Sequence, residues 1–302
     1  MRASLARSNC LFRLLLILCC LLVDASLSPP VHPRAQTSSS PSSIADLRAR
    51  AESGDSAAAQ SLVNFVLQAD TLTPGYDIAQ AWVRSWASRN DASALFLLGY
   101  FYEHGLGVPR DYTKAAESYE KAALQGYAIA QNNLGSLYHR GLGVHKNAAR
   151  AFRLYLAAAE QRTPVAQWNL GHFYFEGIGT SRDFSEAARW FRAAAELSDP
   201  MAQYDLGILY SRGLGVPLDY AEAARWILSA AEQGNVHAQY ALAYLYETGK
   251  GVPLDYVAAY TWYSRAIARG DRTASRRCKS LSHLMTRKER NEANALLSPS
   301  TR

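Results

Sequence analysis

The chain has 302 residues, about half of them hydrophobic and only 19% charged, a balance that excludes a wholly disordered chain. Thirty-two Lys and Arg against 26 Asp and Glu leave a net charge of +6, and four cysteines are too few for a disulfide-dense fold. Nineteen glycines remain to be explained.

The first 23 residues hold no acid, three arginines (Arg2, Arg7 and Arg13) and an unbroken apolar run, Leu14 to Val23. Ten residues are too short for a bilayer core, which needs about 20. The basic start, the short apolar centre and small residues before Ser26 predict a secretory signal peptide over 1–25. An uncleaved signal-anchor is the alternative, and membrane association is expected only in that case. Removal of 1–25 leaves a net charge of +4 and a single cysteine, Cys278, read as a small buried apolar side chain. The expected location is the secretory pathway, in the endoplasmic-reticulum lumen or outside the cell, or the periplasm of a bacterium. Residues 26–43, with four prolines and seven serines, read as a flexible spacer.

From residue 94 the chain repeats. The pattern G-x-G recurs at Gly105, Gly141, Gly177, Gly213 and Gly249, always 36 residues apart. Alanine keeps the same step at 94, 130, 166, 202 and 238, leucine at 98, 134, 170, 206 and 242, and tyrosine at 102, 138, 174, 210 and 246. A fixed period of this length marks a solenoid. Each unit reads as two helices. In the first, Ala130, Leu134 and Tyr138 form one apolar stripe, and Gly135 removes a side chain where another helix must come close. The G-x-G stops that helix, because glycine accepts the left-handed conformation at a helix C-terminus. Asp111, Asn147, Asp183, Asp219 and Asp255 stand where the second helix needs an N-cap, and Glu186 and Glu222 complete capping-box spacing. In the second helix Ala187, Trp190, Phe191, Ala194 and Ala195 form a core-facing stripe.

The expected organisation is a degenerate N-terminal capping repeat over 44–93, in which Ala58, Leu62, Ala79 and Trp82 hold register while residues 69–76 replace the glycine turn. Repeats follow over 94–129, 130–165, 166–201, 202–237 and 238–273, then a charged C-terminal capping helix over 274–297 and a tail, 298–302. The fold class is all-α, a right-handed α-solenoid of antiparallel helix pairs.

The segments AQNNLGSLYHRGLGV (130–144), AQYDLGILYSRGLGVPLDYAEAARWILSAAEQG (202–234) and ALAYLYETGKGVPLDYVAAYTWYSRAIARG (241–270) closely resemble the Sel-one-like repeat family, relatives of the tetratricopeptide repeat. The resemblance implies an adaptor that binds a partner protein, in endoplasmic-reticulum quality control or in periplasmic or secreted signalling. In tetratricopeptide relatives one face of the first helices lines a concave, peptide-binding groove. Carried over by register, that face comprises Phe96, Asn132, Trp168, Tyr204 and Tyr240, then Tyr100, Ser136, His172, Ile208 and Tyr244, with His139 and Phe175 at the third offset. Trp168 and Tyr204 are the leading groove candidates, and packing between neighbouring first helices is the competing reading of the aromatic rings.

Other chemistry finds little footing. The glycines follow helices and no G-x-x-x-x-G-K-[ST] occurs, so a phosphate loop is excluded. His172 and Glu176, at i and i+4, make too few ligands for a metal site. No catalytic residue and no cofactor is expected. An enzyme or small-molecule binder using the His172/Glu176 region, and a structural subunit of a membrane-associated complex, stand as alternatives to the scaffold. The runs RRCK (276–279) and RKER (287–290) read as the solvated face of a cap, and no nucleic-acid partner is expected.

Overall fold

The computed structural model describes residues 44–53, 55, 58, 61–65 and 76–297. The expected leader, spacer, tail and the 69–75 segment lie outside the described residues. All regular elements among the described residues are helices, and they fall into two compact units.

The first unit, up to Thr163, contains α1 (Ile44–Glu52), a helical stretch over 61–65, α2 (Tyr76–Ser88), α3 (Ala92–His104), α4 (Tyr112–Leu124), α5 (Ala128–Arg140) and α6 (Ala148–Glu160). The second, from Pro164, contains α7 (Pro164–Glu176), α8 (Phe184–Glu196), α9 (Pro200–Arg212), α10 (Tyr220–Glu232), α11 (Val236–Thr248), α12 (Tyr256–Ala268), α13 (Arg272–Leu284) and α14 (Arg287–Leu297). Within each unit successive helices from α1 to α13 pack on one another, α3 on α4, α4 on α5 and so on, while α14 folds back onto α12. Each unit is a stack of antiparallel helix pairs, the α-solenoid class.

The helix pair is closed by glycines with two separate duties. Gly213 ends α9 at φ 64°, its N–H donating to Leu209 O, as a left-handed C-cap. Gly215, also left-handed, is needed for a second reason: a Cβ there would lie 2.1 Å from the carbonyl oxygen of Phe184, at the start of the preceding second helix. Gly143 and Gly251 meet Tyr112 and Tyr220 in the same way. These three turns therefore stop their own helices and seat on the previous pair. Inside the first helices, a Cβ at Gly171 or Gly207 would come within 2.6 Å of Phe191 or 2.5 Å of Ile227. That bears out the close approach read from Gly135.

The second-helix caps form as anticipated: Asp111, Asn147, Asp183, Asp219 and Asp255 each accept from backbone N–H groups of the first turn. Such a cap is worth about 1 kcal/mol. The reciprocal arm of the capping box does not form. Glu186 and Glu222 turn outward to Arg189 and Arg225, each at 2.6 Å, because a guanidinium one turn on offers a charged partner. A complete box stands instead at α14, where Thr286 N–H donates to Glu289 Oε2 (2.7 Å) and Glu289 N–H donates to Thr286 Oγ1 (3.2 Å). The chain's end is also a helix pair, α13 and α14, where one charged helix was anticipated; Met285 leaves the helical conformation at ψ 140° and separates them.

Alanine, leucine and aromatic columns make the core. Ala187, Trp190, Phe191, Ala194 and Ala195 are all buried, as are Ala58, Leu62, Ala79 and Trp82 of the degenerate repeat. Cys278 is buried in the terminal cluster with Ala274 and Leu281, and burial pushes its thiol pKa up.

A buried polar column links successive pairs. Gln131, Gln203 and Gln239 donate Nε2 to Ala123 O, Ala195 O and Ala231 O, closing the end of the preceding second helix. Gln161 and Gln233 in turn donate to Gln131 Oε1 (2.9 Å) and Gln203 Oε1 (2.8 Å). Buried amides satisfied in this way set the register between pairs.

Candidate interaction face

The face anticipated for a partner lies on the first helices, and its residues have different environments in the two units. In the first unit the aromatic members point inward. Phe96 is fully buried, its ring 5.9 Å from Tyr119 and 5.4 Å from Tyr127. Tyr100 is buried beside His104, centroids 4.1 Å apart. Asn132 is buried and donates to Asn133 Oδ1. Ser136 is half-buried and shares a hydrogen bond with the Tyr155 hydroxyl. His139 is half-buried, and burial, helped by Lys146 and Arg140, lowers its pKa. Here the rings belong to the packing.

In the second unit Trp168, His172, Phe175, Tyr204, Ile208, Tyr240 and Tyr244 are all half-buried, each leaving part of its side chain to solvent. Trp168 Nε1–H donates to Asp205 Oδ2 at 2.7 Å, and His172 Nε2 lies 2.9 Å from the same oxygen. A carboxylate only accepts, so this imidazole nitrogen carries the proton. The indole and imidazole rings meet edge-on at 4.7 Å, and His172 also meets Phe191 edge-on at 5.1 Å. Both hydrogen bonds fall on one oxygen of Asp205, whose side chain remains 20% exposed.

Phe175 rests on Phe184, centroids 5.2 Å apart, and Tyr240 lies 5.5 Å from Tyr263. The Tyr244 ring carries the Arg277 guanidinium at 5.1 Å and the Lys250 ammonium at 5.8 Å. Tyr204 lies 6.1 Å from the exposed His237 ring, and burial, with Asp205 nearby, raises its hydroxyl pKa.

Asp205 is the functional candidate that reading the sequence missed. It follows Tyr204 directly, in a column that reads Asn133, Asn169, Asp205 and Ala241. The one charge in that column was the available signal. His172 turns to Asp205 on the next first helix, and Glu176, one turn on from it, is exposed. Among the described residues no three His, Cys, Asp or Glu side chains come together as a metal site.

The 36-residue helix pairs, glycine turns and stacked alanine columns define an α-solenoid of helix-pair repeats. The Sel1 repeat model matches over residues 92–127, 128–162, 164–199, 200–235 and 236–271, more than half of the chain, which therefore belongs to the Sel1 repeat family. A Sel1 repeat protein of Oxalobacter formigenes is 38% identical, with a TM-score of 0.61, over 66% of this chain and 82% of that one. The protein c5321, a protective antigen of uropathogenic Escherichia coli strains with the same fold, is 35% identical at a TM-score of 0.72, over 84% of this chain. The match spans about half the length of c5321, 55%. A comparison with functionally curated proteins gives no match. Sel1-repeat solenoids are typically protein-interaction scaffolds and generally not enzymes.

Proposed function

We propose that this protein is an exported adaptor that binds a partner protein through the first-helix face of its second unit. The observation that carries this reading is the half-exposed Trp168–His172–Asp205 cluster, extended along α9 and α11 by Tyr204, Tyr240 and Tyr244. Large rings with few rotatable bonds give up contact area at low entropic cost, and an adjacent carboxylate supplies orientation. Export rests on the N-terminal sequence, whose basic start and short apolar run precede Ser26. An adaptor of endoplasmic-reticulum quality control, or of periplasmic or secreted signalling, accords with both features.

The test is co-purification from the native compartment, comparing wild type with the double variant Trp168→Ala, Tyr204→Ala. Loss of a partner at unchanged helicity, with a cooperative unfolding transition lowered only modestly, is the expected result. A folded double variant that still captures the partner overturns the proposal. N-terminal sequencing of the natural protein that begins near Ser26 supports export, and a retained Met1 argues for an anchored form.

A further inference from the structure

The net charge of the molecule is concentrated at one end. Residues 265–292 contain nine Lys and Arg and three acids, a balance of +6 that equals the net charge of the whole chain. Four of these cations have structural duties. Arg265 covers the Trp262 ring at 4.4 Å, and Arg269 donates to Gly234 O. Arg277 pairs with Glu247, and Arg290 donates to Ser282 O and Met285 O at the end of α13. Arg272, Arg276 and Lys279 are exposed and belong to none of the ion pairs among the described residues.

These three are not scattered. With His283 they occupy positions i, i+4, i+7 and i+11 of α13, one line along a single helix face. Ala274, Cys278 and Leu281 lie on the opposite side and are buried, so the line is the outermost edge of the helix. It is about 16 Å long, from the rise of 1.5 Å per residue. Arg272 stands in the first turn, where the helix dipole disfavours a cation. Helix stability does not explain that placement. Two cations of the run 276–279, Arg276 and Lys279, which read in sequence as a solvated cap face, thus belong to an ordered row.

We infer that this outer line of α13 docks an acidic segment of a partner protein. The surface is distinct from the first-helix face and does not depend on it. Charge complementarity selects an anionic occupant. The row is one cation wide, flanked by Thr273, Ser275, Ser280 and Ser282, and so fits one chain of carboxylates better than a plane of lipid headgroups. No Phe, Tyr or Trp occurs in α13 to stack a base, which disfavours single-stranded nucleic acid. Carboxylates on alternate residues of an extended strand, about 6.6 Å apart, approximate the spacing of the row.

The test is fluorescence anisotropy of a fluorescein-labelled deca-glutamate peptide with the full chain at low ionic strength. Wild type is compared with Arg272→Gln, Arg276→Gln, Lys279→Gln and with a control, Arg84→Gln, Lys121→Gln, Arg153→Gln, whose three cations are also exposed. The first variant is expected to bind about tenfold or more weakly at unchanged helicity, while the control stays within about twofold of wild type. Absence of binding by wild type, or equal loss in both variants, overturns the proposal. Tighter binding to phosphatidylserine vesicles or to a single-stranded oligonucleotide than to the peptide overturns it in favour of those partners.

Discussion

The two units build the same columns from the same helix pairs, yet Phe96 in the first is fully buried and Trp168 and Tyr204 in the second are half-open. The difference arises 31 residues downstream, at the N-cap of the next first helix. In the first unit that position is Tyr127, which makes no capping hydrogen bond and lays its ring against Phe96. In the second unit Asp199, Asn235 and Asp271 stand there, each capping its own helix through backbone N–H groups. A short polar cap cannot cover a ring. At Phe96 a ring from the next repeat thus adds a lid where the second unit has a cap.

The largest consequence is energetic. Phe96→Ala empties a fully buried site and is expected to lower unfolding free energy by about 3–5 kcal/mol. Tyr204→Ala, on the open face, is expected to cost about 1 kcal/mol, since only part of its ring leaves water on folding. Urea denaturation of both variants checks the pair. Equal losses would show that the open face is core after all and would remove the basis for a binding surface there.

A second contrast lies in the polar column beside those rings. Asp205 accepts two hydrogen bonds from the preceding first helix, at 2.7 and 2.9 Å, whereas Asn133 reaches the Tyr119 hydroxyl only at 3.4 Å. Asp205→Ala is expected to cost about 1–2 kcal/mol and Asn133→Ala about 0.5 kcal/mol. Thermal unfolding of the two variants tests this, and a larger loss at Asn133 would reverse the assignment of the stronger inter-repeat bond.

Exchanging the lid for a cap sharpens the comparison directly. Tyr127→Asp supplies a side-chain acceptor to α5, worth about 1 kcal/mol, but uncovers Phe96 and breaks the ring contact. Losing that apolar cover outweighs the cap, for a net destabilisation of about 1 kcal/mol. Protection of α3 amides in hydrogen exchange is expected to fall with it. A more stable variant would show that Tyr127 contributes nothing as a lid.

These contrasts separate what a sequence shows from what it hides. The 36-residue step, the glycine stops, the second-helix caps and the alanine core were legible because each is dictated by residues within one repeat. Glu186 was misread as a capping arm because its competitor, Arg189, had to be weighed in three dimensions. The burial of Phe96 and the partnership of His172 with Asp205 depend on residues 31 and 33 positions away, across a repeat boundary. Periodicity places both columns but does not say which ring is covered. The second glycine of the turn at Gly215 was legible as a stop, and its contact with the preceding pair was not, since the Phe184 carbonyl carries no sequence signal.

A last contrast concerns the glutamine column, which is continuous in one place and broken in another. Gln161 satisfies Gln131 in the first unit and Gln233 satisfies Gln203 in the second. One step further the donor position is occupied by Arg269, which donates to Gly234 O instead, and Gln239 Oε1 is buried without a partner. An unsatisfied buried acceptor costs about 1–3 kcal/mol, whereas the exposed Arg269–Gly234 bond is readily replaced by water. Arg269→Gln restores the residue found at 161 and 233 and is expected to stabilise the chain by about 0.5–1 kcal/mol, read as a rise in the urea midpoint. Gln233→Arg, the reverse exchange in the intact part of the column, is expected to destabilise by a similar amount. If both substitutions lower the midpoint, Arg269 is adapted to its place at the terminal helix pair and the column has no common rule. Opposite signs would show that the inter-repeat amide bond is a transferable unit whose loss at Gln239 marks where the regular array gives way to its cap.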